Sequence, residues 1–440
     1  MTTQATFAAP SAEAGPVPKQ GLRFLVRTAP QHALLVSADL IASGLDACPS
    51  PAHPKGYLKV VLPPSGPLDG VAAATQVLGS HPYIHRLWRL DYLWPGAMGQ
   101  ADFVTRCADG LVQRWSASWP AGLSRVPDHE IQVEATFRDR SYLGSQLASA
   151  LQQRLAAMTA LPSRPSTQAL ELAGEPAPAR ASSPGPEILS ILLTPKAVLA
   201  SFWQPGSHVG AASVPSAWRK TLAGTTFPSR ASRKCVEALA HGIASGLWSG
   251  ETSAPHKGKA WAQRARPLEG QTWLDIGASP GGVTRALLGL GAGVVAVDRA
   301  RLADDLYAAP NLVFLQRDAA RLDLDEIRQQ MEIPAFHGLV CDMNGSVEAA
   351  CATTISLVPL LNAAAAVIFT LKLADTKGWR EALVLVQRSF RKAGLHVVGA
   401  RHLEANRNEL TIFAQPSSVT TEGPAAQPAP ALFDSGPQYR

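Results

Sequence analysis

Charged side chains follow five apolar runs in the second half of the chain, close to where each run ends. They are Asp275, Asp298, Asp318, Asp342 and Lys372. Short apolar runs of this kind are typical of buried β-strands, and open α/β sheets bind ligands beyond the carboxyl ends of their strands. A single such aspartate would commonly be a helix cap or a turn residue. Five charges at one rim of a sheet instead indicate a ligand-binding or catalytic site.

A glycine-rich turn follows the first of these runs. Residues 271–285 read Gln-Thr-Trp-Leu-Asp-Ile-Gly-Ala-Ser-Pro-Gly-Gly-Val-Thr-Arg. This pattern predicts a strand over 272–276, a tight turn and a helix over 282–290, and its glycines allow a ligand to approach the backbone. A phosphate-binding P-loop would need Lys-Ser or Lys-Thr after the glycines, and neither is present. A dinucleotide, with its pyrophosphate at the helix N-terminus, also suits the local pattern.

Strands and helices alternate beyond residue 270, which predicts an α/β domain with a mostly parallel sheet and helices on both faces. The predicted strands are 272–276, 294–298, 312–316, 338–342, 366–371, 395–402 and 409–414, and the predicted helices are 282–290, 347–361 and 378–392. The last two strands, joined through 404–408, are predicted to form an antiparallel hairpin.

The first half of the chain predicts a separate α+β domain over residues 21–210, followed by the α/β domain over 211–415. Its predicted strands include 85–93 and a hairpin over 188–203. Residues 161–187 carry six prolines and form either an interdomain linker or an insertion within the first domain. The hairpin beyond them belongs more naturally with the preceding α+β elements, which favours an insertion.

Composition limits the class of protein. The chain has 440 residues, and residues 1–20 and 416–440 are rich in small polar residues and proline, so we expect a disordered leader and tail. No apolar run reaches the ~18 residues of a membrane span, and the N-terminus lacks the features of a signal peptide. The five cysteines form no CxxC pair. These observations favour a cytoplasmic protein without a metal, and they leave its oligomeric state open.

Positive charge is concentrated just before the glycine turn. Residues 219–266 contain nine Lys or Arg and two Glu, a net charge of +7 against +6 for the whole chain. A solvated charged face is one interpretation of this segment. Contact with a polyanion is the other, and the position of the segment beside the ligand motif favours it.

Five stretches resemble successive motifs of the FtsJ-like RNA 2′-O-ribose methyltransferases, and most of all the enzymes of that family that modify a cytidine of bacterial 23S ribosomal RNA. The stretches are 227–234 (Phe-Pro-Ser-Arg-Ala-Ser-Arg-Lys), 275–282, 340–343 (Val-Cys-Asp-Met), 368–373 (Ile-Phe-Thr-Leu-Lys-Leu) and 407–412 (Arg-Asn-Glu-Leu-Thr-Ile). The resemblance extends over about 188–415. More weakly, 21–160 resembles the THUMP-like RNA-binding domain of that family, whereas 161–187 and both tails have no counterpart.

The resemblance implies a Rossmann-like domain that binds S-adenosyl-L-methionine (SAM), preceded by the RNA-binding domain. It implies a catalytic tetrad of Lys234, Asp342, Lys372 and Glu409. It also implies that the glycines of the turn line the methionine part of SAM, that Asp298 binds the ribose hydroxyls, and that Asp318 binds the adenine amino group. The full set of implied cofactor-binding residues is Asp275, Gly277, Ser279, Pro280, Gly281, Gly282, Asp298, Asp318 and Asp342. Two positions depart from the family pattern: Ser279 replaces a frequent cysteine, and Ala374 replaces a common proline.

Each tetrad residue also has a simpler interpretation. Lys234 alone could be an exposed lysine on a helix over 232–243, and Glu409 could be a charge on an edge strand. Glu404 is the nearest rival to Glu409. Lys372 is harder to explain structurally, because a lysine at the end of a buried strand is unusual unless it is paired.

Transfer of a methyl group to a ribose hydroxyl requires the hydroxyl to lose its proton. Lys372 could accept that proton only if its pKa were lowered, and Lys234 would lower it whereas Asp342 and Glu409 would raise it. The sequence therefore leaves two roles open for Lys372, a general base or a cation that orients the hydroxyl. Other RNA targets, or an RNA-binding protein without activity, are the rival functions. A small-molecule methyltransferase is disfavoured by the basic segment and the large N-terminal domain.

Overall fold

The computed structural model describes most of the chain outside its termini and several internal segments. The described residues are 22–50, 55–63, 70–90, 92–95, 102–116, 129–135, 142–160, 187–193, 197–203, 214–223, 229–245, 247, 265–325, 327 and 335–417. The predicted leader, residues 161–186 of the proline-rich segment and the tail beyond 417 lie outside them.

The described residues of the N-terminal half form eight strands and four α-helices. They are β1 (Leu22–Arg27), α1 (Ala33–Ala42), β2 (Asp46–Pro49), β3 (Tyr57–Leu62), α2 (Gly70–Ser80), β4 (Arg86–Arg89), β5 (Tyr92–Pro95), α3 (Phe103–Ser116), β6 (His129–Ala135), α4 (Tyr142–Ala160), β7 (Glu187–Leu193) and β8 (Ala197–Trp203). They build two four-stranded sheets, with strand orders β2-β3-β1-β4 and β5-β8-β7-β6.

The described residues of the C-terminal half form one seven-stranded sheet with flanking helices. The elements are α5 (Ser216–Ala223), α6 (Arg230–Ala244), β9 (Thr272–Ile276), α7 (Gly282–Gly289), β10 (Gly293–Asp298), β11 (Leu312–Gln316), β12 (Phe336–Cys341), α8 (Val347–Ser356), β13 (Leu361–Lys372), α9 (Trp379–Lys392), β14 (Leu395–Arg401) and β15 (Glu409–Pro416). The strand order is β11-β10-β9-β12-β13-β15-β14.

The chain divides into two compact units. The N-terminal unit comprises the residues up to 25, 40–74 and 88–208, and the C-terminal unit comprises 26–39, 75–87 and the residues from 209 onward. In the N-terminal unit, apolar residues at helical spacing on α3 and α4, such as Leu147 and Leu151, pack against β7 and β8. The two short segments 26–39 and 75–87 thus belong to the same unit as the seven-stranded sheet.

Strands on both sides of the proline-rich segment pair with each other. β6 precedes α4 and the segment, β7 follows it, and the two strands run parallel with His129 opposite Glu187. β7 then pairs with β8 in an antiparallel hairpin. Residues 161–186 therefore lie, in sequence, between two paired strands of one sheet.

The seven-stranded sheet has the predicted α/β architecture. β9 to β13 are parallel, whereas β15 runs antiparallel to both β13 and β14. The chain moves outward from β9 to β11 and then returns to β12 on the other side of β9. The mostly parallel sheet and the C-terminal antiparallel hairpin are confirmed. Such a reversal in strand order opens a crevice at the carboxyl ends of the strands, where ligands bind.

Several predicted elements have slightly different limits in the structure, and two of them differ in kind. The helix predicted over 347–361 ends at Ser356, and a 3₁₀ turn over Val358–Leu360 precedes β13. Pro359 lacks a backbone N–H and cannot continue an α-helix. The single strand predicted over 85–93 is two strands, β4 and β5, which lie in different sheets.

Candidate active site

A glycine turn joins β9 to α7 and forms one wall of the site. The N–H of Gly277 donates to the carbonyl of Val297 on β10 at 3.0 Å. Gly277 has a φ of +79°, and a Cβ on it would lie 3.0 Å from the backbone of Met343. Both the positive φ and this close approach require glycine at the position.

A cavity of about 780 Å³ lies over this turn. Its lining includes residues at or just beyond the carboxyl ends of β9, β10, β11, β12 and β13, which is the rim that the sequence predicted. Small-molecule sites commonly measure about 300–1,000 Å³. Seven of the nine residues predicted to bind cofactor line it: Gly277, Ser279, Pro280, Gly282, Asp298, Asp318 and Asp342. The cavity therefore has the size and the chemistry for a nucleoside-containing cofactor.

Backbone N–H groups hold two carboxylates of this cavity, one at the end of β10 and one just beyond β11. Asp298 accepts from the N–H of Ser279 at 2.9 Å and from that of Ala300 at 2.8 Å. Asp318 accepts from the N–H of Ala320 at 3.0 Å and so caps a 3₁₀ turn. Each carboxylate oxygen has two lone pairs and retains acceptor capacity for a ligand hydroxyl or amino group.

Asp275 is not at the cavity, contrary to its predicted place among the cofactor contacts. It is completely buried, and Thr284 of α7 donates to its Oδ2 at 2.5 Å, while Oδ1 has no hydrogen-bond partner. Burial raises the pKa of Asp275 to about 7, despite the hydrogen bond from Thr284. Its side chain lies between β9 and α7, which the position of a residue at a strand end does not reveal.

Gly281 is the second predicted cofactor residue outside the cavity lining. Its φ is +109°, and a Cβ there would lie 2.1 Å from Cδ1 of Leu306. This glycine therefore allows close packing within the protein. A Cβ on Gly282, which does line the cavity, would lie 2.0 Å from Oγ of Ser229.

The four predicted tetrad residues meet at one end of the cavity and alternate in charge. Lys234 Nζ lies 2.8 Å from Oδ2 of Asp342 and 3.1 Å from Oε1 of Glu409. Lys372 Nζ lies 2.5 Å from Oδ1 of Asp342 and 3.0 Å from Oε2 of Glu409. Each lysine therefore contacts both carboxylates. The Lys372 side chain is 28% exposed and the other three are 9–11% exposed, so Lys372 is the member most open to a ligand.

The sheet fixes three members of this tetrad. Asp342 directly follows β12, and its N–H donates to the carbonyl of Ile276 at 3.1 Å. Lys372, the last residue of β13, lies opposite Glu409, the first residue of β15. β15 lies between β13 and β14, so the interpretation of Glu409 as an edge charge is wrong. Glu404, the rival to Glu409, instead pairs with Arg27 and Arg233.

Helix α6 supplies the fourth member, Lys234. Ser229 caps this helix by accepting from the N–H of Ser232 at 3.2 Å. Ser232 Oγ then donates to the carbonyl of Gly282 at 2.7 Å, which ties the helix to the glycine turn. Of the motif at 227–234, residues 227 and 228 lie outside the described part of the chain.

Opposite charges stabilise the ionised forms in the tetrad. Burial alone would raise the pKa of Asp342, but the charges of Lys234 and Lys372 outweigh it and hold that pKa below its usual value. Burial alone would lower the pKa of Lys372, but Asp342 and then Glu409 outweigh it, so the pKa is raised. Lys372 is therefore a cation at neutral pH in this structure, which favours the second of its two predicted roles.

The strand-end pattern did not indicate several residues of the cavity. Arg299 and Met343 directly follow the predicted site residues Asp298 and Asp342, and Asn344 comes one position later, so closeness in sequence was the available signal. Thr353 and Ser356 line the cavity from α8. Nothing in the local sequence distinguishes them from other small polar residues on that helix.

The basic segment 219–266 lies only partly within the described residues. Arg230 and Arg233 are exposed at the start of α6. Arg233 pairs with Glu237 at 2.7 Å and with Glu404 at 3.4 Å, whereas Lys234 belongs to the tetrad. Not all of the positive charge in this segment is thus available to a polyanion.

Two further classes of site are absent from the part of the chain that the structure describes. None of its helices has both the length and the apolar character needed to cross a bilayer. Within the same residues, no three His, Cys, Asp or Glu side chains are grouped so as to hold a metal ion.

Comparison with known proteins identifies the type of domain. Residues 254–400 match the family model of the FtsJ-like methyltransferases. This part of the chain is therefore similar to the FtsJ-like methyltransferases. The cofactor is S-adenosyl-L-methionine. A comparison of the whole sequence with curated proteins finds no match.

Solved structures similar to the chain are distant in sequence. A Lactococcus lactis protein described as a hemolysin is 20% identical, with a TM-score of 0.34, over 43% of this chain and 89% of that one. Aeropyrum pernix fibrillarin with bound SAM is 16% identical, with a TM-score of 0.28, over 33% and 66%. Magnesium protoporphyrin IX methyltransferase from Synechocystis PCC 6803 is 15% identical, with a TM-score of 0.29, over 46% and 90%. The methyltransferase assignment therefore depends on the family model and not on these structures.

Proposed function

We propose that this protein transfers the methyl group of SAM to a ribose 2′-hydroxyl of RNA. The observation that carries the proposal is the Lys234–Asp342–Lys372–Glu409 tetrad, which touches the cofactor cavity through Asp342 and Lys372. A hydroxyl is a weak nucleophile, and such paired charges suit the orientation of an oxygen and the stabilisation of negative charge on it.

Each residue then has a defined task. When bound, SAM supplies the sulfonium methyl group. Asp342 accepts hydrogen bonds from both lysines and fixes their ammonium groups. Lys372 Nζ donates to the ribose 2′-oxygen, orients it and stabilises the negative charge that develops as the proton leaves to solvent. Lys234 and Glu409 hold Lys372 and Asp342 in place. Alignment of the reacting atoms is a large part of what such a site contributes to the rate.

RNA is the proposed substrate on grounds of charge and size. Arg230 is exposed on the helix that supplies Lys234, and the surrounding segment 219–266 carries a net charge of +7. RNA binding depends strongly on contacts of Lys and Arg with phosphates. The N-terminal unit combines helices and sheets, and we propose that it is a THUMP-like domain that recruits the RNA.

A cytidine of 23S ribosomal RNA is the proposed target, because the tetrad motifs resemble those of the bacterial 23S methyltransferase RlmM. We further propose that 161–187 is an insertion in the N-terminal domain, within the boundaries 21–210, and that 211–415 is the methyltransferase domain. The pairing of β6 with β7 on either side of the segment supports the insertion.

A mapping experiment tests the proposed function. Total RNA lacking the modification is incubated with SAM and either the wild-type protein or Lys372→Ala, and ribose 2′-O-methylation is mapped at each nucleotide. We expect one new site in 23S ribosomal RNA with the wild type and none with the variant. A site in another RNA would refute only the target. Methylation of a base would refute the ribose chemistry, and no methylation despite RNA binding would support an RNA-binding protein without activity.

A further inference from the structure

The connection between β14 and β15, residues 402–408, contacts the helix that carries Lys234. On this connection, hereafter the 402–408 turn, the N–H of Ala405 donates to Oε2 of Glu237 at 3.0 Å. Arg233 donates to Glu404 at 3.4 Å. Because Glu237 and Arg233 flank Lys234 on α6, the turn fixes the distance between that helix and the sheet.

The same turn is bonded to the strands that carry the other lysine and Glu409. The N–H of Leu373, next to Lys372, donates to the carbonyl of Asn408 at 2.9 Å. Nδ2 of Asn406 donates to the carbonyl of Glu409 at 3.1 Å. The 402–408 turn therefore lies between the elements that supply Lys234, Lys372 and Glu409.

His402 closes this turn from the inside. Its Nε2 lies 2.8 Å from the carbonyl oxygen of Arg407, and a carbonyl only accepts, so Nε2 carries the hydrogen. Burial lowers the pKa of His402 to about 4, so the ring is neutral at pH 7 and its Nδ1 is an acceptor. His85 Nε2 lies 3.0 Å from that Nδ1 and must be the donor. The backbone N–H of His402 also donates to Pro82 at 2.8 Å.

We propose that His402 is a positioning residue that holds the carboxylate of Glu409 between Lys234 and Lys372, and that His85 fixes its ring orientation. Strand pairing places Glu409 opposite Lys372, but it does not fix Lys234, because α6 is not part of the sheet. The 3.1 Å contact between Lys234 and Glu409 needs the turn to hold both elements. The segment 75–87, far from the methyltransferase domain in sequence, would therefore contribute to its active site.

The first test measures the tetrad directly and does not depend on the proposed function. NMR titration of the lysine side chains follows the pKa of Lys372 in the wild type, Glu409→Gln, His402→Leu and the control His396→Leu, which replaces an exposed histidine on β14. We expect the pKa of Lys372 to fall in both variants. Glu409→Gln removes the carboxylate charge beside Lys372, and His402→Leu lets that carboxylate move away. A wild-type pKa of Lys372 in a folded His402→Leu protein would refute the positioning role.

The second test is kinetic and depends on the proposed function. A displacement of about 1 Å can cost up to about 10²-fold in rate, so His402→Leu should lower the single-turnover methylation rate by about 10- to 100-fold. The dissociation constant for SAM should remain within about twofold, since His402 lies outside the cavity lining. In Glu409→Gln, the further change His402→Leu should have little effect. If His402→Leu lowered the methylation rate by the same factor in the wild type and in Glu409→Gln, His402 would act independently of Glu409.

A third pair of variants remains informative if His402→Leu does not fold. Gln places its amide nitrogen about as far from the backbone as His places Nε2, whereas Asn is one bond shorter. His85→Gln should therefore keep the hydrogen bond to His402, and with it the wild-type methylation rate and the wild-type pKa of Lys372. His85→Asn should lose that hydrogen bond, so its methylation rate and its Lys372 pKa should both fall. Identical behaviour of the Gln and Asn variants would refute the role of His85.

Discussion

The two ends of the cavity are built in different ways. One end, which comprises the glycine turn, Asp298 and Asp318, is proposed to bind the cofactor and is called the cofactor end. Its carboxylates are held by backbone N–H groups within two residues or on the neighbouring turn. At the tetrad end, four side chains from α6, β12, β13 and β15 hold each other through charge.

This difference predicts how each end responds to change. The cofactor end depends on backbone conformation, so its weak points are glycines with positive φ and close contacts. The tetrad end depends on balanced charge in a poorly hydrated place, where removal of one partner leaves another charge uncompensated. Substitutions at one end should therefore leave the function of the other largely unchanged.

The largest effect is expected for Lys372→Ala, which removes the cation that faces the cavity. Loss of a charged stabiliser costs on the order of 10²–10³-fold in rate, and we expect that loss in single-turnover methylation with SAM affinity unchanged. Because the pKa of Lys372 is raised, Lys372→Arg should retain part of the activity.

The control for this substitution is Lys377→Ala, which removes an exposed lysine a few residues later. Equal loss of activity in the Ala and Arg variants would instead favour Lys372 as a general base. A near wild-type rate in Lys372→Ala would exclude Lys372 from the chemistry altogether.

Gly277→Ala should weaken SAM binding and leave the tetrad unchanged. Its matched control is Gly270→Ala, because Gly270 has a φ of +81° and open space around its missing Cβ. Both variants should lose about 1–3 kcal/mol of unfolding free energy from backbone strain. Only Gly277→Ala should weaken SAM binding, since its Cβ would lie against Met343 at the cavity wall. Calorimetry with equal SAM affinity in the two variants would contradict the assignment of this wall.

Asp275→Asn should change the dependence of stability on pH. The pKa of Asp275 is about 7 in the folded protein and near 3.8 when unfolded, so the folded state binds the extra proton between these values. The wild type should then lose stability as the pH rises from about 4 to about 7, by roughly 4 kcal/mol at most. Urea unfolding at pH 4 and pH 8 should show Asp275→Asn gaining relative to the wild type at the higher pH. The control Asp304→Asn, at an exposed position, should show no such gain. If the free energy of unfolding of Asp275→Asn changed with pH as that of the wild type does, the raised pKa of Asp275 would be contradicted.

The smallest effect is expected for Arg230→Ala outside the cavity. Loss of one phosphate contact should lower the slope of log binding constant against log salt concentration by about 1. Arg233→Ala is the matched comparison, because Glu237 and Glu404 already neutralise Arg233. The same salt slope should change less in this variant. Equal slopes in the wild type and Arg230→Ala would show that this face does not contact RNA.

The sequence alone determined the order of the elements and the cofactor end. Apolar runs, glycines with positive φ and charges at strand ends are local patterns, and parallel strands necessarily bring their carboxyl ends to one rim. Asp298, Asp318, Asp342 and Lys372 were therefore predictable as neighbours. Resemblance to a family added Lys234 and Glu409, which the local pattern alone left as an exposed lysine and an edge charge.

Only the tertiary structure decided which of these side chains meet. Lys234 reaches Asp342 across 108 positions of sequence, and Glu409 is internal because β15 inserts between β13 and β14. Asp275 has the same strand-end signature as Asp298, yet its side chain lies under α7 and away from the cavity. The direction of a side chain at a strand end depends on what packs against each face of the sheet, and that packing is settled by contacts between distant elements.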